Sequence, residues 1–162
     1  MKIYCFGNRL VKNDKTALEI IPFLQKKFPK LEFIEATTDD IEGISELVII
    51  DVADMIDKVT VFTEKEIDIL CGSRSCSLHD FDLGMTLKIL NKMGQIKKLR
   101  IIGIPMNYEK EKAEKEVEER LKEVLEENKT NEKQSGRYKK TGKNIRRETK
   151  SEKTKSKKTR KK

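Results

Sequence analysis

Leu47-Val48-Ile49-Ile50-Asp51 is the stretch that decides the fold. Four apolar residues in a row, three of them β-branched, suit a strand buried on both faces and ending on an acid. Upstream, Ile3 to Phe6 is a second run of this kind, followed by a polar loop from Gly7 to Asp14. Ala17, Ile20, Ile21, Leu24 and Phe28 then recur at helical spacing, and Pro29 closes the element. Pro22 inside that pattern removes a backbone donor, so the helix is expected to kink there or to start late. Leu31 to Ala36 reads as a further strand.

Downstream, Val59 to Phe62 reads as a strand, and Lys65 to Ser77 as irregular, with a short strand over Ile67 to Leu70 and then a Gly/Ser/Cys-rich loop. Leu83, Leu87 and Leu90 mark a helix from about Asp82 to Met93, ended by Gly94. Leu99 to Ile104 is the last buried strand. A final helix runs from Glu109 to Glu127, with Ala113, Val117, Leu121 and Val124 inward and Glu/Lys pairs outward. Buried strands alternating with amphipathic helices give an α/β fold: a mostly parallel sheet flanked by helices on both faces, an α/β/α sandwich.

Charge divides the chain. Of its 36 Lys and Arg, 16 fall in residues 129–162 against three Glu, a net of +13, so residues 1–128 carry −5 of the total +8. Only Tyr138 and Ile145 in that tail suit a core, too little burial to offset the roughly 1–2 kcal/mol per residue that ordering costs. The reading is an α/β domain over 1–128 and a disordered Lys/Arg-rich tail over 129–162. Such a tail attracts polyanions, and nonspecific contact with nucleic acid is the obvious case. With no apolar run near the ~20 residues of a membrane span and no leader pattern before Met1-Lys2-Ile3, a cytoplasmic protein is expected. Cys5, Cys71 and Cys76 then read as free thiols, with Cys5 packed inside a strand.

In an open parallel sheet, the loops leaving the carboxyl ends of the strands meet along one edge, where ligands bind. That rule gathers Asp14 from the loop after the first strand, Asp51 from the end of the Leu47–Ile50 strand, and His79 ahead of the Asp82 helix. Two carboxylates and an imidazole suit a borderline divalent cation such as Ni²⁺ or Zn²⁺, leaving coordination positions open. Each residue also has a plainer role. Asp14 would cap the first helix, Asp51 would bind loop amides, and His79 would be an ordinary loop histidine. A thiol or hydroxyl nucleophile beside His79 is a local alternative, since Cys71, Ser73, Ser75, Cys76 and Ser77 precede it closely. Gly7 begins no Gly-x-Gly-x-x-Gly pattern, which argues against a nucleotide site.

Gly7-Asn8-Arg9-Leu10-Val11-Lys12-Asn13-Asp14, directly after the N-terminal strand, resembles the Gly-Asn-x-Leu-x-x-Asp-Asp/Glu signature of the hydrogenase maturation endopeptidases. Val48-Ile49-Ile50-Asp51 resembles the second motif of that family, Ser77 to Leu83 its His-Asp-x-x-Leu stretch, and Ile102-Gly103-Ile104-Pro105 its closing strand. The similarity runs over residues 1 to about 127, in the order and spacing of the family. Departures from its pattern are Asn13 for an acid, Lys15 for a glycine, Val52 for an alanine, and Gly-Ile-Pro where Gly-Ile-Gln-Pro is commoner.

The resemblance implies a peptidase that trims the C-terminus of the large subunit of a [NiFe] hydrogenase. It also implies that Asp14, Asp51 and His79 hold nickel already inserted in that precursor rather than a stored cofactor, with Asp14 or Asp51 as candidate general base. The Lys15 and Val52 departures keep open a noncatalytic chaperone that binds nickel or precursor. The basic tail keeps open a nucleic-acid-associated α/β protein.

Overall fold

The computed structural model describes residues 1–54, 56–72, 77–78 and 81–128. The tail over 129–162 lies outside them. The chain divides into two compact units, Met1–Lys122 and Glu123–Lys162. In the second, the described residues 123–128 are helical. In the first, β1 (Lys2–Cys5) leads through helices α1 (Thr16–Glu19) and α2 (Ile21–Lys27) to β2 (Glu32–Glu35). A 3-10 turn at Thr38–Ile41 precedes β3 (Glu46–Asp54), β4 (Thr60–Thr63) and α3 (Ile67–Gly72). Then come β5 (Ser77–Leu78), α4 (Phe81–Lys92) and β6 (Lys98–Pro105), followed by helix α5 from residue 110 onward. No helix among the described residues is long and apolar enough to cross a membrane.

The sheet order is β2-β1-β3-β6-β4, with β5 pairing β3 outside that path. The first four strands run parallel and β4 joins β6 antiparallel, so the mostly parallel α/β sheet expected from the buried strands is what forms. Register explains the layers. Tyr4 pairs with Ile49, and Ile49 with Ile101, so these three share one face. They join one core cluster with Ile67 and Leu70 of α3 and Leu83, Leu87 and Leu90 of α4. Cys5, Ile50 and Ile102 alternate with them onto the opposite face and are equally buried. Burial there comes with Ala17, Ile20 and Leu24 of the first two helices and Ala113, Val117 and Leu121 of α5, none of which belongs to the first cluster.

Pro22 takes the first of its two expected forms, a break in a helical stretch that already starts at Thr16. The helical stretch is interrupted at Ile20, and Pro22 sits in the first turn of α2, where a missing N–H breaks no helical bond. Two expectations need correction. Ile67–Leu70 is not a strand but most of α3. The carboxylate of Glu66 accepts hydrogen bonds from the backbone N–H (2.7 Å) and hydroxyl of Thr63, tying down the start of that helix. Ile67 and Leu70, three apart, then face the same core. Asp51 is also not the last residue of its strand, because β3 continues to Asp54. Its extension is held by β6 on one edge, through Ala53 opposite Pro105, and by β5 on the other, through Ala53 opposite Leu78.

Candidate functional site

The chain passes from β1 to β2 on one side and takes up β3 on the other, so the point where the strand order reverses lies between β1 and β3. Crevices at the carboxyl ends of strands open at such reversals. β1 stays bonded to β3 as far as the Phe6 N–H donating to the Ile50 carbonyl, 2.9 Å, and β5 takes up the same edge at Ala53. Asp51 and Val52 sit where the edge passes from β1 to β5. Alternation from Ile49 turns the Asp51 side chain toward the α3–α4 face. It is 0% exposed, and its Oδ1 accepts the N–H of Val52 at 2.8 Å.

The loop after β1 brings Asp14 back to the same edge. Its carbonyl accepts the N–H of Asn8 at 3.2 Å, and its own N–H donates to Val11 at 3.0 Å. Within the loop, the Asn8 side-chain oxygen accepts the N–H of Leu10 at 2.9 Å, and the Asn8 carbonyl accepts Val11 at 3.0 Å. The closure depends on Gly7. Its φ is +147°, and a Cβ there would stand 2.4 Å from the Asp14 carbonyl oxygen, a distance no side chain tolerates. Asp14 is 4% exposed. Lys15 follows it as the N-cap residue of α1, and the Lys15 side chain makes no capping bond.

Asp14 and Asp51 are the only buried acidic residues among those described. Taking a carboxylate out of water costs several kcal/mol unless hydrogen bonds or a cation compensate. The oxygens of such carboxylates, one in the loop after β1 and one on β3, are of the kind that suits a divalent cation or proton transfer. His79, the third residue read from the sequence, lies outside the described residues, as do Ser73, Ser75 and Cys76 and the side chains of Cys71 and Ser77. The structure does place β5, which ends one residue before His79, against the extended end of β3. Among the described residues no group of three His, Cys, Asp or Glu forms a metal site.

Charge around the site is organised by two further residues that carried no local signal in the sequence, being 26 positions apart. The Arg9 guanidinium grips the Glu35 carboxylate at the end of β2, with Nη2 to Oε2 at 2.7 Å and Nε to both oxygens at 3.1 Å. The hydrogen bond from Arg9 holds the Glu35 carboxyl below the usual carboxylate range. Cys5 lies buried beneath this edge. Burial first, then the charges of Glu35 and Asp51, push its thiol up to about 12, so it stays protonated and packs as an apolar group, as its place in a strand suggested. Gly103 faces Asp51 across the β3–β6 ladder, and a Cβ there would lie 2.9 Å from the Phe62 ring and 3.1 Å from Ala53.

Comparison with known proteins bears on this geometry. The model of the hydrogenase maturation protease family matches residues 32–130, more than half of the chain, a span that holds Asp51 and His79 but begins after the 7–14 loop. No curated protein matches. The solved structure of the hydrogenase maturating endopeptidase HybD from E. coli is similar, with a TM-score of 0.57 and 19% identity over 79% of this chain and 94% of that one. An endopeptidase from Escherichia coli solved in solution aligns at a TM-score of 0.44 and 20% identity, over 65% of this chain and 74% of that one. The crystal structure of the hydrogenase 3 maturation protease aligns at a TM-score of 0.41 and 18% identity, over 64% and 71%. The fold comparison rests on HybD and the family assignment on the sequence match. This chain belongs to the hydrogenase maturation protease family and is a peptidase.

Proposed function

We propose that the protein removes a C-terminal extension from the large-subunit precursor of a [NiFe] hydrogenase after nickel has entered it. On this reading Asp14, Asp51 and His79 contact the nickel as part of the substrate, and the enzyme stores no metal or nucleotide of its own. The observation that carries the reading is the pair of buried carboxylates at the β1–β3 reversal, 4% and 0% exposed. Such a pair binds weakly to a precursor without a cation and gains several kcal/mol of attraction when the cation is present, so cleavage follows metallation.

Hydrolysis adds water to the scissile carbonyl and expels the amine. Asp14 or Asp51 takes the proton from the water and returns it to the leaving nitrogen, an aspartic-type role. The reading places the reaction in the cytoplasm. The 129–162 tail is assigned no part in cleavage. Its weak nonspecific hold on nucleic acid is a property of its charge alone.

The test compares nickel-loaded and nickel-free precursor by intact mass. The loaded precursor is expected to lose its extension and the nickel-free one to keep it. An uncleaved loaded precursor, or full activity of His79→Ala, refutes the proposal. A tight complex that yields no shortened product points instead to the chaperone role.

A further inference from the structure

The loop that carries Asp14 also carries the most exposed large apolar side chain among the described residues. Leu10 is 95% exposed, with Val11 beside it at 38%. A lone surface leucine needs no explanation, but this one stands on a rigid mount. The N–H of Leu10 is bonded to the Asn8 side chain, and the loop is closed at its base by the Asn8–Asp14 bond. Its flank is tied to β2 by the two-pronged Arg9–Glu35 contact. A loop fixed in this way loses little conformational freedom on association, the property of an anchor that fills a partner's pocket.

We infer that Leu10 is a docking residue, inserting into an apolar pocket of the precursor beside the segment to be cut. The occupant is the precursor because the loop is continuous with the site: three residues separate Leu10 from Asp14, whose carbonyl closes the loop. Contact at Leu10 and presentation of the scissile segment to Asp14 are then one docking event. This inference rests on the proposed function for the identity of the partner, and it adds a residue that anchors the precursor.

The test titrates full-length protein with purified nickel-loaded precursor and follows both binding and cleavage for wild type, Leu10→Ser and Leu10→Met. Burial of a leucine side chain is worth about ten- to a hundred-fold in affinity. Leu10→Ser is therefore expected to weaken binding and raise KM by that factor, with kcat within about threefold of wild type, while Leu10→Met stays within a few-fold of wild type throughout. Because the side chain is exposed, the unfolding midpoint should not move, which separates docking from misfolding. Equal precursor affinity for wild type and Leu10→Ser overturns the inference, as does a fall in kcat with KM unchanged. If wild type binds the precursor and leaves it whole, the peptidase reading fails, and the affinity ratio still decides the role of Leu10.

Discussion

Replacing Gly7 with alanine should damage both stability and catalysis, by amounts the geometry fixes in advance. The new Cβ would lie 2.4 Å from the Asp14 carbonyl oxygen, so backbone must move by about 1 Å to restore ordinary contact of 3.4 Å or more. The φ of +147° adds strain of its own, of about 1–3 kcal/mol for a residue with a side chain. Forcing an atom into packed backbone adds about 1–3 kcal/mol more. A total of about 2–6 kcal/mol corresponds to a fall of about 8–24 °C in Tm for a domain of this size. Relief by shifting Asp14 would also misplace a site carboxylate, where an error of about 1 Å can cost on the order of a hundred-fold in rate. Gly43→Ala and Gly94→Ala are the controls: φ is +74° and +70°, and nothing lies within 4 Å of either added Cβ. Each should lose only the left-handed backbone penalty of about 1–2 kcal/mol, partly offset by a stiffer unfolded chain. Circular dichroism melts and precursor cleavage read the two effects. A Gly7→Ala protein that melts with the controls and cleaves at the wild-type rate would show that Gly7 does not set the position of Asp14.

Other consequences follow from individual residues. Cys5 holds its proton to about 12 when folded, whereas an unfolded thiol loses it near 9.0. Its contribution is thus complete below the unfolded value and is lost as pH rises through about 12. Denaturation of wild type against Cys5→Ala should show the difference shrinking by about 4 kcal/mol across that window, and a pH-independent difference would contradict the assignment. Pro22→Ala should change the unfolding free energy by less than about 1 kcal/mol, since the proline sits in a first turn; a gain near the ~3 kcal/mol typical of a helix interior would contradict that placement. Gly103→Ala should lower stability by about 1–3 kcal/mol, and trimming Phe62 to leucine in the same chain should recover part of it, because the ring is the nearest neighbour of the added Cβ. Deleting residues 129–162 should leave the precursor cleavage rate within about twofold of wild type, while a large loss would bring the tail into the mechanism.

The elements legible in the sequence were those whose burial dictates composition. Leu47 to Ile50 could be read because a central parallel strand meets helices on both faces and tolerates only apolar residues. The extension of the same strand through Asp54 could not, since it depends on pairing with Ser77 and Leu78, more than twenty residues away. The helix at Ile67–Gly72 was hidden for a similar reason. Its six residues are too few to display a period, and its start is fixed by the Thr63–Glu66 contact rather than by an apolar pattern. Asp14 and Asp51 were nameable as candidates at the sheet edge because the carboxyl-edge rule needs only the strand order. Their burial, the closure of the 7–14 loop on Gly7 and the Arg9–Glu35 tie belong to tertiary structure and leave no periodic trace.

The length of β3 beyond β1 has a consequence for how the site can work. Had β3 ended at Asp51, its carboxylate would sit at a frayed strand end open to water. Instead β6 pairs it through Ala53, and β5 holds the far edge from Ala53 onward, so Asp51 is fixed from both directions in the chain and is fully buried. Asp14 is held differently, by a loop closed through backbone bonds among Asn8, Val11 and Asp14 and through the bare backbone of Gly7. One carboxylate therefore rides on the sheet and the other on a short tethered loop. Displacing Asp51 would pull a strand from the sheet, and displacing Asp14 would break the backbone bonds that close its loop. Gly7→Ala therefore reaches Asp14 through its loop and leaves Asp51 on the sheet, so that variant perturbs one carboxylate of the two.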